Sequence, residues 1–112
     1  MDEAYLASKL KACSNPKRLR IYDILMEGVH CNCEIAEQLG LSLSLISHHM
    51  RILEEAGLVK SEHDAEDARW IYYMVDEEAL SQFREALDRF LDPESIKPRA
   101  RSCGPQGCCG VR

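Results

Sequence analysis

Six cysteines in 112 residues fall into two groups and one singleton. Cys31 and Cys33 stand in the run Gly28-Val29-His30-Cys31-Asn32-Cys33-Glu34, and Cys103, Cys108 and Cys109 lie in a tail with Gly104, Gly107 and Gly110. Thiolates are soft ligands that select thiophilic ions: trivalent arsenic or antimony, cadmium, lead and zinc. Within a regular helix, residues two apart point about 200° from each other and cannot share a ligand. At the first turn of a helix they can, and there the helix dipole favours thiolate. A pyramidal three-sulfur ion needs a third donor. Cys103 follows Asp92 by eleven residues, and extended chain covers roughly 3.3–3.6 Å per residue, so the tail can reach the first pair. Alternatively, Cys103, Cys108 and Cys109 form a site of their own, with the glycines letting the chain wrap a small ion. One site or two is open at this level. His30 is a weaker ligand candidate that should face solvent. Cys13 ends the stripe Leu6, Leu10, Cys13 and reads as core or interface packing.

The elements that must position these thiols follow from composition and pattern. A hydrophobic fraction of 46% is ordinary for one globular domain. No apolar stretch is long enough for a bilayer. The start, Met1-Asp2-Glu3-Ala4-Tyr5, lacks an export pattern, so the expected location is cytoplasmic, with thiols reduced rather than paired into a disulfide framework. The 14 basic and 19 acidic side chains give a net charge of −5, which argues against tight non-specific binding to nucleic acid. Acidic residues crowd into 62–67 and 76–92, which leaves Lys17, Arg18, Arg20, Arg51 and Arg69 free to line another surface. No nucleophile–base pair, phosphate loop or cofactor motif points to an enzyme or to a small organic substrate.

Periodicity and capping signals predict five helices. The first covers about 2–12. Asn15-Pro16 restarts the chain as N-cap and first helical residue, and Leu19, Ile21, Ile24 and Leu25 follow until Gly28. A short helix over about 32–39 carries Ile35, Ala36 and Leu39, and Gly40 breaks it. Ser42 caps a fourth helix that runs to about Ala56, with Gly57 as its stop. Two helices around such a turn make a helix-turn-helix. Leu58–His63 and Arg69–Val75 then read as two strands of a hairpin. The last helix starts at Asp76 and spaces Leu80, Phe83, Leu87, Phe90 and Leu91 along one face. The chain therefore divides into a domain over 1–91 and a cysteine-containing tail over 92–112.

On a helical wheel the fourth helix buries Ile46, Met50 and Leu53, with His49 toward the core. The opposite face shows Ser44, His48, Arg51 and Glu55, with Ser47 at its flank. Short hydroxyls, an imidazole and a guanidinium near a helix N-terminus suit phosphates and base edges. Ser42, at the cap, joins this candidate contact set. Arg69, opening the second strand, is a candidate phosphate contact.

Three segments carry a resemblance: Asn15-Pro16-Lys17-Arg18-Leu19-Arg20-Ile21, Glu34–Ser42, and Ile46-Ser47-His48-His49-Met50-Arg51-Ile52-Leu53-Glu54-Glu55-Ala56-Gly57-Leu58-Val59. Over roughly 7–91 the chain resembles the ArsR/SmtB metalloregulators. The resemblance implies a mainly α protein with a small β-hairpin, a winged helix-turn-helix that forms a homodimer through its first and last helices. It implies a repressor that sits on double-stranded operator DNA, with Ser44, Ser47 and His48 as recognition contacts. Leu43 departs from the family, where a polar residue is frequent. Cys31-Asn32-Cys33 is similar to the Cys-x-Cys of the family's arsenic and cadmium/lead sensors, and the tail is similar to the C-terminal cysteines of some arsenic repressors. The metal-site candidates are therefore Cys31, Cys33, Cys103, Cys108 and Cys109, and the expected inducer is arsenite or antimonite, with cadmium or lead as alternatives. Zinc and nickel sensors of the family use histidines and carboxylates in the last helix, and 76–91 has no histidine, so a zinc site of that kind is not expected there. A repressor governed by thiol oxidation or persulfide, and a metalloid chaperone that binds no DNA, are the competing readings.

Overall fold

A computed structural model describes residues 2–101, 103–105 and 107. Among these the order is α1 Glu3–Cys13, α2 Pro16–Leu25, β1 His30–Cys31, α3 Asn32–Leu39, α4 Leu43–Glu55, β2 Val59–His63, β3 Ile71–Val75 and α5 Glu77–Phe90. Local chemistry sets the helix starts. Asn15 Oδ1 accepts from the amides of Lys17 and Arg18, with Pro16 at the first helical position. Ser42 Oγ accepts from the Leu45 amide at 3.1 Å, and Asp76 Oδ1 from that of Ala79 at 3.1 Å. These are N-caps satisfying otherwise orphaned donors.

The helix stops need a left-handed residue. Gly40 ends α3 at φ 65°, and the Leu41 amide turns back to the Ala36 carbonyl at 3.1 Å. Gly57 ends α4 at φ 76°, with the Leu58 amide donating to the Leu53 carbonyl at 3.0 Å. Both are six-residue closures that glycine permits without steric cost. The first one sets the turn between α3 and α4.

The core joins these elements. Ile21 of α2, Ile35 of α3, Ile46, Met50 and Leu53 of α4, and Leu58 are fully buried, with Tyr73 of β3 against them. Burying such a side chain contributes about 1.5–3 kcal/mol, so the face of α4 carrying Ile46, Met50 and Leu53 fixes its rotation.

The wing departs from the sequence-based expectations in two places. The hairpin is part of a three-stranded antiparallel sheet of order β1-β3-β2, because His30 pairs with Tyr73 and Cys31 with Tyr72. Arg69 does not open the second wing strand. The Trp70 amide donates to the Asp67 carbonyl at 3.0 Å, so the chain is still turning there and β3 begins at Ile71. Cys13 is half-buried against the core, in keeping with its place at the end of the apolar stripe, while Leu10 of α1 and Leu19 of α2 are 39% and 54% exposed. α5 buries no residue completely: Phe83 packs on the core, while Phe90 and Leu91 are 58% and 66% exposed. Beyond α5, Asp92 caps a single 3-10 turn over Pro93–Ser95. Among the described residues, no helix is long and apolar enough to cross a membrane.

Candidate nucleic-acid interface and thiol site

The polar face of α4 is where the wheel puts it. Ser44, His48, Arg51 and Glu55 are exposed and Ser47 is half-buried, while His49, one residue on, is 5% exposed. Ser42 is exposed, but its Oγ already serves as the N-cap acceptor, which leaves its hydroxyl proton for any further contact.

Arg69 is exposed but not an isolated cation. Its Nε and Nη2 donate to the two carboxylate oxygens of Asp67, each at 3.0 Å. This bidentate pair holds the Asp67 carboxyl below its ordinary range, first through the side-chain contact and then through the Arg69 amide. Asp64 lies beside it and is likewise held down, by the amides of Glu66 and Asp67 and by the Tyr72 hydroxyl. The tip of the wing is thus an acidic, internally bonded turn.

Two basic residues matter in a way the sequence reading missed. Arg18 reads as a surface cation, but it is half-buried: its Nε donates to the Ala12 carbonyl of α1 at 2.6 Å, and its Nη1 donates to His49 Nδ1 of α4 at 3.3 Å. Lys9 of α1 sits with Nζ 4.9 Å from the Tyr5 ring centroid and donates to the Ala56 carbonyl at the end of α4. The available signal was weak: Arg18 stands on the first turn of α2, and His49 on the apolar side of α4.

The thiols share the first turn of α3. Cys31 is its N-cap, 8% exposed, and the last residue of β1. Its amide donates to Glu34 Oε1 at 2.9 Å, and its Sγ faces the Glu34 amide, a capping box with sulfur in place of a hydroxyl. Cys33 is exposed, and its amide donates to Asn32 Oδ1 at 3.0 Å. Placement near a helix start does not lower the Cys31 thiol as expected. Burial against the sheet pushes it up, and the Glu34 amide only partly offsets that. His30 is half-buried rather than solvent-facing, with Nδ1 2.8 Å from the Gly28 carbonyl. A carbonyl only accepts, so Nδ1 carries the proton and Nε2 the lone pair.

In the tail, Cys103 is half-buried, and Gly104 and Gly107 exchange two backbone hydrogen bonds of 3.0 and 3.2 Å. Cys108 and Cys109 lie outside the described residues. The described residues bring no three His, Cys, Asp or Glu side chains into one metal-holding group. The pair at the start of α3 is therefore the thiol element whose geometry is in view.

Helix-turn-helix, three-stranded wing and polar helix face together define a winged helix-turn-helix DNA-binding protein. Residues 15–61 match the sequence profile described as bacterial regulatory protein, arsR family. An arsenical resistance operon repressor of Staphylococcus xylosus is 32% identical over 88 residues, which cover 79% of this chain and 82% of that protein. A solved structure described as a possible transcriptional regulator for arsenical resistance has a TM-score of 0.68 at 34% identity, covering 78% of this chain and 88% of the other. The homodimeric winged helix-turn-helix DNA-binding domain of a possible ArsR-family regulator from Mycobacterium bovis has a TM-score of 0.64 at 25% identity, covering 81% and 82%. The chain belongs to the ArsR family. It is a DNA-binding transcriptional repressor and not an enzyme.

Proposed function

We propose that this repressor holds its operator as a homodimer and releases it when Cys31 and Cys33 bind a thiophilic ion, arsenite or antimonite first. The observation that carries the reading is the double role of Cys31. It is a soft donor two residues from an exposed thiol, and it is also the cap of α3 and the end of β1. To share an ion with Cys33, the Cys31 thiol must lose its proton and leave the Glu34 amide. Burial raises the Cys31 pKa and so disfavours the thiolate that oxidants attack at this sulfur, whereas a thiophilic ion supplies the driving force for deprotonation. The departing cap loosens the start of α3. Ile35 of α3 packs in one core with Ile46 of α4, so the reading face moves with it. An ion that weakens DNA binding is itself bound less well by the DNA complex.

In this reading residues 1–91 form the DNA-binding and dimerisation domain. Ser44, Ser47, His48 and Arg51 read the groove, with Ser42 at the helix start and Arg69 at the wing. The uncovered faces of α1 and α5 pair two copies, supported by the homodimeric neighbour. Residues 92–112 are a tail in which Cys103, Cys108 or Cys109 supplies the third sulfur. Arsenite and antimonite lead because the similar proteins are named for arsenical resistance, while cadmium and lead share the thiolate chemistry.

The test is fluorescence anisotropy on operator DNA from upstream of the gene itself, titrated in parallel with arsenite, antimonite, cadmium and lead. Release by the metalloids that is lost in Cys31→Ser/Cys33→Ser supports the reading. Release by cadmium or lead alone reassigns the inducer. Release by mild oxidant with no ion present would sink the ion-binding idea.

A further inference from the structure

We propose that Arg18 is a positioning residue for DNA binding: its guanidinium ties a carbonyl in the last turn of α1 to the buried face of α4 and so sets the angle at which the reading helix is presented. The inference rests on the DNA-binding fold and holds whatever the inducer is.

Arg18 stands at the junction of three helices. Its Nε donates to Ala12 of α1 at 2.6 Å, its Nη1 donates to His49 Nδ1 of α4 at 3.3 Å, and its own backbone belongs to α2. Neither acceptor is a carboxylate. A guanidinium has donors only, in a planar fork, so two fixed acceptors define its orientation. The same logic fixes His49: Nδ1 must carry the lone pair and Nε2 the proton. His49 is 5% exposed and sits between the core residues Ile46, Met50 and Leu53, while the adjacent His48 lies exposed on the reading face. A strut one residue away from the reading face acts directly on its rotation.

Lys9 supplies a second point. Its ammonium, also from α1, donates to the Ala56 carbonyl at the far end of α4. His49 and Ala56 are seven residues apart, about 10 Å along a helix. Two attachments at that separation resist both rotation and tilt of α4 against α1, where a single attachment would act as a pivot. Base contacts tolerate only a few tenths of an ångström before their hydrogen bonds weaken. Burial first, then the charges of Arg18, His48 and Lys17, favour the neutral form of His49, the form that can accept from Arg18.

The experiment is operator binding by anisotropy over a range of salt concentrations, with thermal unfolding in parallel. It compares Arg18→Ala, His49→Ala, the double variant, and His49→Asn, whose Oδ1 takes the place of Nδ1. We expect each alanine variant, folded at the assay temperature, to lose tenfold or more in operator affinity. The double variant should be no worse than the weaker single, the non-additivity of a shared contact. The salt slope should stay that of the parent, since no phosphate contact is lost, and His49→Asn should restore most of the affinity. Additive losses would overturn the proposal, as would a salt slope smaller by about one, the signature of a phosphate ligand. If Arg18→Ala does not fold, the pair at position 49 decides: His49→Asn binding as poorly as His49→Ala also overturns it.

Discussion

Cys31 and Glu34 hold each other at the start of α3: the Cys31 amide donates to Glu34 Oε1 at 2.9 Å while the Cys31 sulfur faces the Glu34 amide. The contact draws the Glu34 carboxyl below its ordinary range, chiefly through the Cys31 amide. It makes one residue both a structural cap and a candidate sulfur donor, and the two roles are separable by substitution. Serine is a better N-cap than cysteine and keeps the acceptor. Cys31→Ser should therefore leave the unfolding midpoint unchanged or slightly higher, yet abolish metalloid-driven release of DNA. Cys31→Ala should lose both, with about 1 kcal/mol of stability lost with the cap. Thermal unfolding beside an arsenite titration of the DNA complex separates the two. A Cys31→Ser protein that still releases DNA normally would remove this thiol from the proposed site.

His49 sets a pH dependence distinct from that of the carboxylates. Burial first, then Arg18, His48 and Lys17, lower its pKa from an ordinary value of 6.5. The folded state therefore binds fewer protons than the unfolded chain below about pH 6.5. Stability from this group is fully present above that pH and is lost as pH falls toward the depressed folded value. Glu34, Asp64 and Asp67 are also depressed, but their stabilisation is lost only as pH falls below the ordinary carboxylate range, near 4. Unfolding followed from pH 7.5 to 5 should show the midpoint falling in the parent protein, with a clearly shallower fall in His49→Asn. Equal slopes in the two proteins would assign the loss elsewhere.

The legible parts of this fold were those written within a few residues of one another. Asn15-Pro16, Ser42 and Asp76 announce helix starts because a cap is a contact between residues two or three apart, and Gly40 and Gly57 announce stops through their left-handed backbones. The two faces of α4 follow from its 3.6-residue period, and so do the exposure of Ser44, His48 and Arg51 and the burial of His49. What stayed hidden depends on partners far along the chain. β1 is two residues long and has no period of its own; it exists because His30 and Cys31 meet Tyr73 and Tyr72. That same pairing buries Cys31 and reverses the expected direction of its pKa. Arg18 finds His49 31 residues away, and nothing in a run of basic residues distinguishes a strut from a solvated side chain.

Asp67 is expected to act as a brake on the wing. Its carboxylate takes both arms of the Arg69 guanidinium, in a turn that also carries Asp64 and Glu66. Asp67→Asn removes one negative charge and releases a cation toward any phosphate in reach. Affinity for unrelated duplex DNA at low salt should rise severalfold, and the steeper salt dependence should bring the two proteins together above about 0.3 M salt. Arg69→Ala should weaken binding across all sequences and reduce the salt slope by about one if the guanidinium meets phosphate. If neither variant changes the slope, the wing tip does not approach the DNA.

The apolar face of α5 should fail as an isolated surface and succeed as an interface. Phe90 and Leu91 are 58% and 66% exposed, Leu87 is half-buried, and Leu10 of α1 is 39% exposed. Clustered apolar exposure of this kind on a small domain marks an association site. Phe90→Glu does not touch the buried core, so the protomer should stay folded while like charges meet at the two-fold interface. Sedimentation should then show a monomer at concentrations where the parent is a dimer. Operator affinity should fall by two orders of magnitude or more, because each protomer then engages only one half-site. Circular dichroism matching the parent confirms that the loss is one of assembly. A Phe90→Glu protein that remains dimeric and binds normally would place the interface on another face.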